Sequence, residues 1–437
     1  MSSIFADSCN MYENMKIICE RIASRAKYAI YKVLGLLYVN RDKKRLCKAR
    51  MVVRMEKTPG GTGLRLCAPC LFGLEGPLGN ELRHMGMSSV APENGRVFFE
   101  TDEYGLARAN IGSRFAERIL LELGSFRARS FEELFEGVRA LSLEDWLPRD
   151  AAFPVKGWSL ESQLHSVPDC QRIIKKAAAV RLGSAWGLER LPETGALCQI
   201  QFSIMKDLVH VYLDTSGTSL HKRGYRPAQV AAPLRETLAA AMVDISGYRG
   251  RGEFCDPFCG SGTISIEAAL AAKGRAPGIN RSFAAEKWPV LRREIWREAR
   301  EAARAREYSG EYRISASDID PRAVELARAN AERAGVAEIV RFSVADAREF
   351  SRSTERGVIV TNPPYGERML EKREAERLYS DFGKALAGVS GWELYLLSSH
   401  TELERCLGRS AQKRRRLYNG TLRCELYIYR RDGGSRR

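Results

Sequence analysis

Four strand ends in the second half of the chain carry residue types that can do chemistry. "EFCDPFCGSGTISIEAAL" (Glu253 to Leu270) reads as a short strand ending at Asp256, a turn through Pro257 and Gly260-Ser261-Gly262, then a helix from Thr263. Glycines let a backbone approach a ligand closely, and a helix start offers free N–H groups. "YRISASDIDPRAVELARANAERAGV" ends a second strand at Asp318, where an acid can accept both hydroxyls of a ribose. "EIVRFSVADAREF" alternates Val340, Phe342 and Val344 and ends at Asp346. That carboxylate can accept a hydrogen bond from an exocyclic amine such as adenine's. In "GVIVTNPPYGERM" the apolar run Val358-Ile359-Val360 leads directly into Asn362-Pro363-Pro364-Tyr365. Two prolines stop a strand and force extended backbone before them. A buried strand therefore ends by displaying a side-chain amide, a stiff backbone and an aromatic ring.

Taken singly, these signals are weak. The glycine turn is not a P-loop, because no lysine follows it. It is not a dinucleotide fingerprint either: Ser265 stands at the third glycine position, and the next strand-end acid lies far beyond the roughly 20 residues such folds use. Each acid alone is better explained as a helix cap. The combination is informative, because four strand ends on one rim of one sheet are where such folds bind ligands.

The elements that must position these residues follow from hydrophobic period. Residues 253–430 alternate strand and helix, as in a mostly parallel, doubly wound α/β sheet. "RRRLYNG" and "TLRCELYIYR", joined at Asn419-Gly420, add a terminal antiparallel hairpin. Residues 64–216 read as α+β. "LRLCAPCLFGLEGPLGNELRHMG" is strand, turn and helix, and "GRVFFETD" is a strand. "GLARANIGSRFAERILLELGSF" and "SFEELFEGVRAL" are helical in period, the latter with a capping box from Ser130 to Glu133. "PDCQRIIKKAAAVRLG" is a helix, and "ALCQIQFSIMKDLVHVYLDTSG" forms two strands around Lys206-Asp207.

A chain of 437 residues with 44% apolar and 28% charged content is a multidomain globular protein. Its net charge of +16 points to a polyanionic partner, above all nucleic acid. Arg172, Lys175, Lys176 and Arg181 lie on one predicted helix, and His221, Lys222, Arg223 and Arg226 lie in the stretch joining the two halves. These are the candidate phosphate contacts. The eleven cysteines include one C-x-x-C, Cys67 to Cys70. It has no second pair or histidine at ligand spacing, so no metal site is expected. Free cysteines suit a reducing, cytoplasmic setting. The longest apolar stretch, "YAIYKVLGLLYV", is too short to span a membrane. Residues 1–63 form a basic extension ending in "TPGGTG". It reads as an RNA-binding arm, a flexible appendage, or an upstream start, with Met51 or Met55 as the true first residue.

As a set, the glycine turn, Asp318, Asp346 and Asn362-Pro363-Pro364-Tyr365 resemble class I methyltransferases that use S-adenosylmethionine, of the amino-methylating kind. "DTSGTSLHKRGYRP", "APLRETLAAAM", "APGINRSFAAEKW" and, in the front half, "FGLEGPLGNEL" and "SFEELFEGVRALSLEDWLP" are similar to the bacterial ribosomal RNA guanine-N2 methyltransferases. That resemblance covers roughly residues 64–430. It implies a ferredoxin-like segment over 64–105, a THUMP RNA-binding domain over 106–216, a Rossmann-like methyltransferase domain over 217–430 and a tail from 431. Cofactor-binding residues would be Asp256, Pro257, Gly260, Gly262, Thr263, Asp318, Asp346 and Asn362. The catalytic residues would be Asn362, Pro363, Pro364 and Tyr365. The side-chain carbonyl of Asn362 and the backbone carbonyl of Pro363 would hold the guanine amine, with Tyr365 stacked on the base. The implied partner is structured RNA, 23S ribosomal RNA or a precursor particle. Transfer RNA as substrate, DNA adenine-N6 methylation and a non-catalytic assembly role are the competing readings. Because the chain stops at Arg437, a single activity is expected.

Overall fold

The computed structural model describes residues 63–226, 234–365, 372–389 and 391–430. The basic extension, apart from Gly63, and the 431–437 tail lie outside the described residues.

The front half begins with strand β1 (Leu64–Pro69), helix α1 (Glu75–His84), strands β2 (Ser88–Glu93) and β3 (Arg96–Thr101), helix α2 (Glu103–Gly112) and strand β4 (Leu120–Arg127). These strands pair in the order β2-β3-β1-β4, so the βαββαβ unit closes only with β4. It runs to Arg127, past the expected boundary at 105. Helix α3 (Phe131–Arg139), β5 (Val155–Leu160), α4 (Val167–Trp186), β6 (Ile200–Met205) and β7 (Leu208–Asp214) follow. Strand β4 also pairs antiparallel with β7, and the sheet continues to β6 and β5. One seven-stranded sheet therefore crosses both expected front domains without a linker.

Strand β4 corrects the helical reading of this region. It lies between β1 and β7 and is buried on both faces. Leu120 packs with Cys67, Phe98 and Tyr212, while Leu121 and Phe126 enter the main core. The strand's sequence neither alternates nor runs apolar: Glu122 is buried against Arg65 at 2.8 Å, and a bulge between Glu122 and Gly124 breaks the two-residue period. Other local signals worked as expected. The Ser130 side chain accepts from the Glu133 N–H. The carboxylate of Glu133 reaches one residue further back than a capping box predicts, to the N–H of Arg129 at 2.7 Å. Lys206 and Asp207 turn the β6–β7 hairpin with φ of 51° and 62°.

The second half contains α5 (Glu236–Ser246), β8 (Glu253–Asp256), α6 (Thr263–Ala272), α7 (Glu294–Arg304), β9 (Arg313–Asp318), α8 (Pro321–Ala334), β10 (Val340–Val344), β11 (Gly357–Thr361), α9 (Lys372–Leu386), β12 (Trp392–Ser398), α10 (Leu403–Leu407), β13 (Lys413–Asn419) and β14 (Leu422–Tyr429). The strand order is β10-β9-β8-β11-β12-β14-β13. The first five are parallel, and β14 and β13 are antiparallel. Asn419 pairs with Leu422, so the turn residues are Gly420 and Thr421, and Gly420 has φ +66°. Successive side chains feed opposite faces. Phe254, Val360 and Tyr395 join the core shared with the front half, whereas Cys255, Ile359 and Leu394 pack under α9. The halves are also tied by backbone: Gly278 N–H donates to the Ile111 carbonyl at 2.8 Å.

Candidate active site

The parallel strands β10, β9, β8 and β11 are neighbours, so their carboxyl ends share one rim. Chain order reverses between β8 and β11, and such switch points open a crevice for ligands. The rim brings together the four strand ends singled out from sequence.

At the end of β8, the turn to α6 is shaped by two glycines. Gly260 has φ +50° and Gly262 φ +81°. A Cβ on Gly262 would lie 2.9 Å from the Ala327 Cβ, while one on Gly260 would meet nothing within 4 Å. Gly262 packs the turn against α8, and Gly260 faces open space. Gly262 caps α6 without a side-chain hydrogen bond, which leaves the first N–H groups, including that of buried Thr263, free of a side-chain acceptor. Pro257 begins this turn.

Asp318 is tied to the turn. Its Oδ2 accepts from the Gly260 N–H at 2.9 Å and its Oδ1 from the Asp320 N–H at 3.0 Å. Each carboxylate oxygen keeps a further lone pair. Asp346 accepts from the Arg348 N–H, and the exposed Arg348 guanidinium closes on both of its oxygens. That hydrogen bonding holds the Asp346 carboxyl below its usual range. Ile319 and Val344 stand exposed beside these acids. The sequence reading passed over Ile319, which follows Asp318 directly, and took Val344 as the last apolar position of the β10 alternation, where the structure leaves it 56% exposed.

Asp256 is fully buried. Its Oδ1 accepts from Thr361 Oγ1 at 2.7 Å, with the Phe258 N–H at 3.3 Å, and its Oδ2 has no partner among the described residues. Burial, with a smaller contribution from the Asp318 charge, pushes its pKa up to about 7. A buried, orphaned carboxylate oxygen at a switch point fits a ligand ammonium group.

Thr361 ends β11, and Asn362-Pro363-Pro364-Tyr365 follows. Asn362 and Tyr365 are half-buried and Pro363 is buried. The Tyr365 hydroxyl donates to Asn362 Oδ1. Tyr379, fully buried on α9, donates to the Pro364 carbonyl at 2.7 Å, and burial pushes its pKa up to about 12. The period Ala375, Tyr379, Phe382 marks the buried face of α9, but nothing in the sequence says that this phenol braces the loop.

The expected phosphate contacts fare differently. Arg172, Lys176 and Lys222 are exposed, with Arg172 paired to Asp169. Lys175 lies over the Phe153 ring and 2.6 Å from Glu193. Arg181 pairs with Glu144, and His221 meets Glu117 at 2.7 Å. Arg223 and Arg226 are corrections. The Arg223 side chain is 2% exposed and is held by Glu267 and the carbonyls of Leu220 and Arg114. Arg226 is bound to Glu236, the Leu234 carbonyl and Thr263 Oγ1. Both are engaged by buried carboxylates and by backbone carbonyls, so their charge is already balanced inside the protein. Cys67 and Cys70 are also internal and enter separate apolar clusters.

Comparison with known proteins gives three consecutive family matches: an RlmL ferredoxin-like domain over residues 65–120, a THUMP domain over 128–214 and an RMKL-like methyltransferase domain over 223–428. A putative RNA methyltransferase, YpsC of Bacillus subtilis, is 42% identical over 83% of this chain and 95% of its own length. The ribosomal RNA large subunit methyltransferase K/L of Psychromonas ingrahamii is 36% identical over 83% of this chain, which spans 49% of that longer protein. Among solved structures, the putative methyltransferase SMU.472, complexed with SAH, is 38% identical. It superimposes with a TM-score of 0.81, covering 86% of this chain and all of that one.

Proposed function

Since this chain belongs to the family of RMKL-like methyltransferases, with a ferredoxin-like and a THUMP domain ahead of the catalytic one, we propose that it transfers methyl from S-adenosylmethionine to the exocyclic N2 of a guanine in large-subunit ribosomal RNA. The observation that carries this reading is the placement of Asn362-Pro363-Pro364-Tyr365 at the switch point, hydrogen-bonded through Thr361 to the orphaned carboxylate of Asp256.

S-adenosylmethionine, when bound, supplies a methyl group already activated by its positive sulfur. The protein's task is therefore mainly orientation. Asp256 would take the ammonium group, Gly260, Gly262 and Thr263 the carboxylate end, Asp318 the ribose and Asp346 the adenine amine. The N2 lone pair of guanine is delocalised into the ring. By accepting its two N–H bonds, Asn362 Oδ1 and the Pro363 carbonyl turn that lone pair toward the methyl group. Asn362 Oδ1 has two lone pairs, so it can keep the Tyr365 hydroxyl while accepting the amine. Pro364, braced by Tyr379, keeps both acceptors in place. Tyr365 offers its ring to the base. The product nitrogen sheds its proton to water or to one of these carbonyls, so no histidine base is required.

The basic charge suits a nucleic acid, and the THUMP match and the RNA methyltransferase relative favour RNA over DNA. The ribosomal substrate rests on the name of the K/L relative. Among the described residues no helix is long and apolar enough to cross a membrane. The test is product identity. Protein, labelled S-adenosylmethionine and separated unmodified ribosomal RNA, transfer RNA and DNA are incubated, and digested nucleosides are identified by mass spectrometry. Labelled N2-methylguanosine from ribosomal RNA alone is expected. The same product from transfer RNA alone would move the substrate, and labelled N6-methyladenine would overturn the base assignment.

A further inference from the structure

Away from the rim, the protein has a cleft of about 350 Å3 at the junction of its two halves. Three segments line it: the stretch from Thr218 to Tyr225, the end of α6 with the turn that follows, and the end of α8. Five lining residues are cationic, namely Lys222, Arg223, Arg275, Arg281 and Arg333, and none is acidic.

Their partners decide what this charge can do. Arg223 is balanced by Glu267 and Arg275 by Glu307. Among the described residues, Lys222, Arg281 and Arg333 have no ion-pair partner. Arg281 donates only to carbonyls, those of Thr218, Ser219 and Leu220 at 2.6–3.1 Å. Arg333 donates to the Tyr225 carbonyl and to Asn330 Oδ1. The ends of α6 and α8 each bring about half a negative charge, so roughly two positive charges stay uncompensated. Burial, followed by the charge of Arg223, pushes the Arg281 pKa down to about 10. An anion seated there would relieve that repulsion.

The cleft also has a defined relation to the chemistry. The stretch that lines it continues along α6 to the donor turn: Tyr225 Oη reaches Glu267, and Arg226 reaches Thr263. Helix α6 has ten residues, so the cleft lies about 15 Å from the glycine turn.

We propose that this cleft seats a backbone phosphate of the RNA substrate, about one helix length from the turn that would hold the methyl donor, and so fixes the path of the RNA beside the stretch that joins the front half to the catalytic domain. The inference rests on the RNA reading above. It assigns the recognising charge to Lys222, Arg281 and Arg333, which leaves out the internally paired Arg223 and Arg226.

The test uses full-length protein and the Lys222→Gln/Arg333→Gln double variant. Both side chains are exposed, and Arg281, which braces backbone, is left intact. Binding of ribosomal RNA is measured across a salt series. Donor affinity serves as the folding control, and inorganic phosphate and a nucleoside monophosphate serve as small-molecule probes. The expected result is at least a threefold weaker RNA affinity and a salt slope shallower by about one, the value for loss of a single phosphate contact, with donor affinity unchanged. If wild-type protein methylates RNA and the double variant binds it with the same affinity and slope, the inference fails and the function stands. Tight binding of the small probes, lost in the variant while RNA binding stays, would make the cleft a small-ligand site and overturn it. If wild-type protein neither binds nor methylates RNA, the functional reading itself fails, and the inference with it.

Discussion

Thr361 Oγ1 donates to Asp256 Oδ1 across 2.7 Å, linking the last residue of β11 to the last residue of β8 at the point where the sheet reverses its order. The residue after Thr361 is Asn362, and the turn after Asp256 is the glycine turn. One hydrogen bond thus sets the distance between the loop that would hold the acceptor base and the turn that would hold the donor. Thr361→Val removes it and leaves a second buried oxygen of Asp256 poorly satisfied. The variant should lose about 1–3 kcal/mol of stability in urea unfolding and should bind donor more weakly. A variant of wild-type stability would show that the bond positions nothing.

Asp256 gives the site a pH dependence. Burial raises its folded-state pKa from 3.8 to about 7, so the folded protein favours its neutral form. This group's contribution to the stability of the free protein is complete below about pH 4 and is lost as pH rises through 7. Donor binding runs the other way, because an ammonium group needs the carboxylate ionised. Donor affinity, measured by calorimetry, should rise about tenfold between pH 6 and 8, and Asp256→Asn should remove that step. A flat profile in the wild-type protein would exclude Asp256 as the ammonium partner.

Tyr379→Phe isolates the brace on the acceptor loop. It deletes the hydroxyl that donates to the Pro364 carbonyl and keeps the buried ring. A loss of about 0.5–1.5 kcal/mol in positioning predicts kcat down by a few-fold to about tenfold, with donor Kd unchanged. A change confined to donor binding would place Tyr379 on the wrong substrate.

Arg223 is predicted to act through stability. Arg223→Leu strands Glu267, which is 0% exposed, and should cost about 3–5 kcal/mol. Replacing both partners, Arg223→Leu with Glu267→Leu, should recover much of that loss. If the single change cost nothing, Arg223 would return to the list of external contacts.

Much of the catalytic half was legible because parallel strands leave plain marks. Val358-Ile359-Val360 is apolar throughout because β11 is covered on both faces, and the residues that end such strands stand out by type. Asn362, Asp318, Asp346 and the two glycines could therefore be picked out by type and place, although each alone was a weak signal. Their meeting on one rim followed from the strand and helix alternation. The bracing residues were not readable, because Tyr379 and Thr361 act through contacts set by packing between distant elements. The same limit explains the mistaken helix over β4, whose period is broken by a bulge between Glu122 and Gly124 and by a glutamate paired with Arg65 on a neighbouring strand. It also explains Arg223 and Arg226. A run such as "HKRGYR" shows its charge in sequence, whereas the carboxylates that neutralise it, Glu267 and Glu236, lie on α6 and α5.

The central claim is that Asn362 acts on the acceptor amine at a site where donor binding is handled mainly by other residues. Asn362→Ala separates the two most directly. Donor affinity is measured by calorimetry, and methyl transfer to ribosomal RNA is measured in a single turnover. The account predicts donor binding within about threefold of wild type and transfer slowed by roughly a hundredfold or more, the scale seen when one positioned catalytic hydrogen bond is removed. Transfer at the wild-type rate would contradict the account.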